Sequence, residues 1–120
     1  MSSRKMLSAL GAAGALLFFA THADAHARVV ASTPTANATV ASPPAISVTF
    51  RERVVPAFSG VDVVDAAGAT IAVSTTVSED GRTLSGRPAR ALAAGAYSAN
   101  WHAASSDGHR MTGVIPFTVR

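Results

Sequence analysis

Along residues 46–51 apolar and polar positions alternate without a break: Ile46, Val48 and Phe50 against Ser47, Thr49 and Arg51. A period of two is that of a strand with one buried face and one wet face, and β-branched and aromatic residues suit it. The same signature recurs at Arg28 to Ala31, Gly60 to Val64, Ala69 to Val73, Arg82 to Ser85, Ala96 to Ala103 and Val114 to Arg120. Seven short strands at this spacing predict an all-β chain folded as a β-sandwich. Asp65-Ala66-Ala67-Gly68 and Glu79-Asp80-Gly81-Arg82 place glycine where a turn needs positive φ, and Pro43-Pro44 blocks a helix before the second strand. The Ala-rich piece Arg87 to Gly95 reads either as one helical turn or as a loop. Pro116 has no N–H to give a sheet, which puts the last strand at an edge or makes it locally bulged. Tyr97, Ala99 and Trp101 share one parity, with Ser98, Asn100 and His102 on the other. A core role for the single tryptophan therefore turns His102 outward.

The amino end has a different pattern. Arg4-Lys5 precedes an uncharged apolar run from Met6 to Ala20, which leads to Ala23-Asp24-Ala25. Basic head, short apolar core and an A-x-A site make a secretory signal peptide, residues 1–25, cleaved to leave one domain, residues 26–120. No other stretch is long and apolar enough to span a bilayer, so the expectation is an exported, periplasmic protein, soluble after signal cleavage and monomeric. The chain has no cysteine, which excludes disulfides, zinc–thiolate sites and iron–sulfur clusters. Its ten Lys plus Arg fall to eight without Arg4 and Lys5, and its seven Asp plus Glu fall to six without Asp24. The remaining arginines form no run and are not interleaved with aromatics, so nucleic acid is not an expected partner. Arg51 and Arg53, two apart, share a face if they lie in a strand.

Cleavage after Ala25 turns His26 into a residue with a free α-amine and an imidazole, two nitrogens able to chelate one metal. Far along the chain, Asp107-Gly108-His109 sets a carboxylate and an imidazole two residues apart around a glycine, which reads either as a ligand loop or as an ordinary turn followed by a surface histidine. A sandwich that brings the first strand to the loop before the last would unite His26, Asp107 and His109. Three nitrogens and one oxygen suit tetragonal Cu(II), one ion, better than zinc, iron or the hard cations. Met111, the one methionine beyond residue 25, reads as a packing residue or a weak axial contact.

The chain resembles the CopC family of periplasmic copper-resistance and copper-trafficking proteins. The likeness rests on His26-Ala27, Ser32-Thr33-Pro34, Val48-Thr49-Phe50-Arg51-Glu52, Val61-Asp62-Val63 followed by Gly68, Gly95-Ala96-Tyr97, Trp101, and Ser106-Asp107-Gly108-His109 leading to Gly113 and Phe117-Thr118-Val119. It implies a seven-stranded Greek-key β-sandwich, immunoglobulin-like or cupredoxin-like in its barrel. It also implies that His26 supplies amine and imidazole, that Asp107 and His109 complete the Cu(II) site, and that Glu52 takes an outer-sphere place beside the metal ligands. Read from the residues alone, Glu52 is equally a salt-bridge partner of Arg51 or Arg53. Arg51 and Arg53 stand where the family has a small residue and proline. With no methionine between Ala27 and Arg110, the resemblance implies the Cu(II)-only type, and His102 is not expected among its ligands.

The function expected is a Cu(II)-binding protein, not an enzyme, that buffers copper, confers resistance or delivers the ion to an inner-membrane copper importer. Two other classes compete. A copper-dependent oxidative enzyme with an N-terminal histidine brace, as in lytic polysaccharide monooxygenases, needs a broad substrate face. A metal-free structural β-sandwich module would leave His26, Asp107 and His109 apart.

Overall fold

The computed structural model describes residues 28–120. The expected signal peptide and His26 lie outside them. Nine strands form two sheets: β1 (Val29–Thr33), β2 (Ala38–Val40), β3 (Ile46–Phe50), β4 (Gly60–Asp65), β5 (Thr70–Ile71), β6 (Val73–Val77), β7 (Thr83–Pro88), β8 (Gly95–Ala104) and β9 (Arg110–Val119). One sheet runs β1-β3-β7-β6 and the other β2-β9-β8-β4-β5. Their inner faces enclose a core in which Ile46, Val48 and Phe50 meet Val61, Val63, Leu84, Ala99, Trp101, Ile115 and Phe117. The alternation read in β3 holds residue by residue, and on its wet face the Thr49 and Thr83 hydroxyls bond across to β7 at 3.1 Å.

The fold departs from the seven expected strands in two places. Ala69 to Val73 is not one strand. Asp65 Oδ1 accepts from the Ala67 and Ala69 amides, closing a hairpin in which Gly68 has φ 85°, and only Thr70–Ile71 pair with β4. The chain changes sheets at Ala72, and Val73 opens β6 against Pro88 of β7. A period of two carries no mark of which sheet a strand joins, so this corner has no hydropathy signal. The added strand, β2, makes just three parallel pairs with β9, from Ala38 opposite Phe117 to Val40 opposite Val119. It is too short to show a periodicity, and it follows Asn37, at φ 67°.

Pro116 marks where that pairing starts. Its carbonyl accepts from Asn37 N–H at 2.6 Å, so its nitrogen faces the same side, where β2 has not yet begun to pair. Contrary to the expectation set by the proline, the last strand is thus neither at a sheet edge nor bulged: β9 lies between β2 and β8, and Pro116 is tolerated because its nitrogen faces a side that β2 has not yet reached. Residues 89–94, between Pro88 and β8, form a loop and not a helical turn, and it delivers Leu92 to the core. Arg51 and Arg53 are not in a strand: β3 ends at Phe50, and residues 51–53 bend across the open end of the sandwich. There Val54 bridges to Ser105, and Val55 N–H donates to the Ala104 carbonyl at 2.7 Å.

Trp101 sits at the centre of the core, 6% exposed, with its ring edge-on to Phe50 at 5.1 Å. It lies flat over Gly113, its cross-strand partner in β9. A Cβ at residue 113 would stand 2.4 Å from the indole Cε2 and Cζ2, closer than any carbon contact allows, so this glycine is a steric requirement of the tryptophan. Gly113→Ala is accordingly expected to lower stability by about 1–3 kcal/mol, the cost of overpacking a filled core. Urea unfolding followed by Trp101 fluorescence measures it, and an unchanged midpoint would refute the packing described.

Candidate metal centre

The ten-pair ladder between β8 and β9 ends at Ala104 opposite Arg110, and residues 105–109 close it. The loop is tightly built. Ser105 N–H donates to the His109 carbonyl at 2.9 Å, and Gly108 N–H donates to the Ser105 carbonyl at 3.0 Å. Gly108 sits at φ 91°, a conformation in which a side chain is strained, so the glycine between the two candidate ligands is demanded by the turn. At the base of the loop Ser105 is buried, 2% exposed, and its hydroxyl donates to Asp107 Oδ1. The same oxygen accepts from the His109 amide at 3.2 Å. That leaves Oδ2 turned to the His109 ring, 2.8 Å from Nδ1.

These contacts fix the charge of the carboxylate. The Ser105 hydroxyl, then the His109 ring and amide, hold Asp107 well below the usual carboxylate range, against a small opposing effect of desolvation. Both side chains remain open to water, Asp107 at 55% and His109 at 63%. Two bonds of about 2.0–2.1 Å to one ion, meeting at a right angle, hold their donors roughly 2.9 Å apart. The Oδ2 and Nδ1 atoms stand at about that spacing, and to meet one ion the two groups would turn off the line along which they now share a proton. The donor chemistry, one imidazole nitrogen and one carboxylate oxygen, fits an adjacent pair of corners in a tetragonal site.

Two donors do not complete such a site. Among the described residues no group of three or more His, Cys, Asp or Glu side chains converges. Of the sequence-predicted residues the structure therefore brings Asp107 and His109 together, while His26 lies outside the described residues. Glu52 faces neither Arg51 nor Arg53 but Arg28, with Oε1 3.8 Å from Nη1. It does lie at the same end of the sandwich, two residues before Val54, which bridges to Ser105. His102 points away: it is on the outer face of β8, with its ring against Gly60 of β4, where a Cβ would come within 2.7 Å of Cε1. Met111 is buried in the core cluster.

Sequence reading missed Ser105, the residue that fixes Asp107. The available signal was a serine two places before an aspartate, the spacing of a local side-chain turn, which is too common to single out alone. Reading also missed Arg28, because a partner 24 positions away leaves no trace in local pattern.

A CopC domain family model matches residues 29–120. Over 98% of both chains the protein is 37% identical to copper resistance protein C of Pseudomonas syringae pv. tomato. It is 32% identical to copper transport protein CutJ of Bacillus subtilis (strain 168), over 87% of this chain and 20% of that larger one. The crystal structure of CopC from Methylosinus trichosporium OB3b superposes with a TM-score of 0.71 at 32% identity, covering 77% of this chain and 91% of that one. With the β-sandwich and the match across nearly all of its described length, the chain belongs to the CopC family of copper-resistance proteins.

Proposed function

We propose that this protein, exported to the periplasm and cleaved after Ala25, binds one Cu(II) ion through the amine and imidazole of His26, the carboxylate of Asp107 and the imidazole of His109. The observation that carries the reading is the Asp107–His109 donor pair, held at 2.8 Å by a loop whose geometry is fixed from Ser105. The described chain begins at the same end of the fold, since Arg28 accepts from the Arg51 amide just beyond β3. His26 is two residues earlier, and two residues reach at most about 7 Å. A four-donor shell of protein groups holds copper and leaves little room for a substrate, which favours a monomeric carrier for buffering and resistance over an enzyme. The aromatic rings among the described residues point the same way: Trp101 is buried, Tyr97 stacks on Phe117 at 5.6 Å, and the single exposed one, Phe58, makes no platform. Delivery to an inner-membrane copper importer is supported by the likeness to a copper transport protein in which this domain accounts for a fifth of the chain. No helix among the described residues is long and apolar enough to cross a membrane.

Copper titration with electron paramagnetic resonance separates these elements. Protein starting at His26 is expected to bind one equivalent with a tetragonal, nitrogen-rich spectrum. A form with one glycine ahead of His26, Asp107→Ala and His109→Ala are each expected to lose more than about a hundredfold in affinity, beyond the roughly 10–100-fold that the loss of an outer-sphere partner brings. Equal binding by the native and glycine-extended forms would remove the terminal amine from the site.

The loop adds a pH prediction. A carboxyl whose folded pKa is depressed contributes stability that is complete above its unfolded value, about 3.9, and is lost as pH falls through the lower folded value. Asp107 is therefore expected to stay ionised in the metal-free protein to well below the usual carboxylate range, and its contribution is lost only as pH falls through that lowered value. Ser105→Ala is expected to raise the Asp107 midpoint toward the ordinary range in a carboxyl NMR titration of the metal-free protein. A midpoint unmoved by that substitution would show that the hydroxyl does not set the carboxylate.

A further inference from the structure

Arg28 is the first described residue and carries an unresolved requirement. Its Nη1 is buried and has no hydrogen-bond partner among the described residues. The Glu52 carboxylate, at 3.8 Å, is within ion-pair range but beyond a hydrogen bond. A buried guanidinium donor left unsatisfied is costly, and a native fold retains one where something further completes it. The backbone of the same residue is fixed, because its carbonyl accepts from Arg51 N–H at 2.9 Å, one residue before Glu52.

The start of β1 is also turned relative to the rest of the strand. Val29 stands opposite Phe50 but Ala31 stands opposite Thr49, so Val30 is an extra residue, a bulge, and it is 61% exposed. Bulges bend a strand and re-aim what precedes them. Here the bulge and the Arg28–Glu52 contact act on the two residues that separate β1 from His26. As an ion pair between partly exposed groups, 30% and 48%, the contact adds little to stability, so its value lies in placement.

We propose that Arg28 is a positioning residue for the copper-binding terminus: its guanidinium, closing on Glu52, holds the backbone beyond His26 at the Asp107–His109 loop. The inference rests on the proposed Cu(II) site and extends it. Glu52 acts on the metal through Arg28 and not by contact with a ligand, and the pair tightens to hydrogen-bonding distance when copper fixes the terminus. Arg28 suits this task because a planar fork can meet a carboxylate with two parallel N–H donors, which an ammonium cannot.

The test uses full-length mature protein starting at His26, with Cu(II) alone as probe. Arg28→Gln and Glu52→Gln are each expected to weaken Cu(II) binding on the order of tenfold, the range seen when an outer-sphere partner is lost, and to shift the copper spectrum. The double variant is expected to lose no more than either single one, Arg28→Lys is expected to recover part of the loss, and metal-free melting temperatures are expected to change little. In the glycine-extended form, where the amine is no longer a terminal ligand, Arg28→Gln is expected to have no effect. Wild-type affinity and spectrum in Arg28→Gln, or additive losses in the double variant, would overturn the proposal while leaving the copper site standing. A wild-type protein that binds no more tightly than its glycine-extended form overturns the site reading, and the positioning role falls with it.

Discussion

The ladder between β8 and β9 is the constraint on which the rest of the molecule depends. Ten consecutive pairs, from Gly95 opposite Val119 to Ala104 opposite Arg110, lock the register of two strands that carry most of one inner face. Because side chains alternate with a period of two, that register decides at once that Trp101 lies over Gly113 and that Ile115 and Phe117 face inward. The same register sets where the hairpin turns. A slip of one residue would turn Trp101 out of the core and change the length of the loop that residues 105–109 now close. The core and the candidate metal loop are thus two ends of one pairing decision.

That coupling explains what sequence showed and what it withheld. Long, half-buried strands were legible: the alternation at Ile46, Val48 and Phe50 and the parity of Tyr97, Ala99 and Trp101 both appear as read. What escaped was the structure that depends on partners distant in sequence. β2 is made by Ala38–Val40 finding the free side of β9 after Pro116, and neither segment signals the other. The crossing at Ala72 is a choice between two sheets that present the same pattern. At the site, Asp107-Gly108-His109 was visible as chemistry, since the residue types themselves carry it. Ser105 was not, since a serine becomes informative only once its burial and its hydroxyl direction are known. For Glu52 the position at the loop end was legible, but its partner Arg28 was not, and the choice between Arg51 and Arg53 failed because both follow the end of the strand. His26 was read from its place after a cleavage site, a processing signal that no packing of residues 28–120 bears on.

The fold also gathers charges that the sequence scatters. Arg28 precedes β1, Arg51 and Arg53 follow β3, Arg82 gives its carbonyl to Phe50 N–H, and Arg110 follows His109 directly, so five of the eight arginines beyond the signal segment come to the loop end. Their acidic company there is Glu52, Glu79, Asp80 and Asp107. Asp80 is already engaged, its carboxyl lowered by the Ser78 hydroxyl and the Arg82 amide, with the Arg82 and Arg53 charges adding to the effect. No surplus of negative charge remains to attract a cation. A calcium or magnesium site, built from six or more oxygens and several carboxylates, has no basis in such surroundings. An ion that is held here must be held by directed bonds to good donors, against the field of the guanidinium groups. Nitrogen ligands and a d-block ion high in the divalent affinity order would meet that condition. Such surroundings accord with the copper-related role of the family, because a basic rim disfavours a weakly coordinating ion more than one held by strong donors.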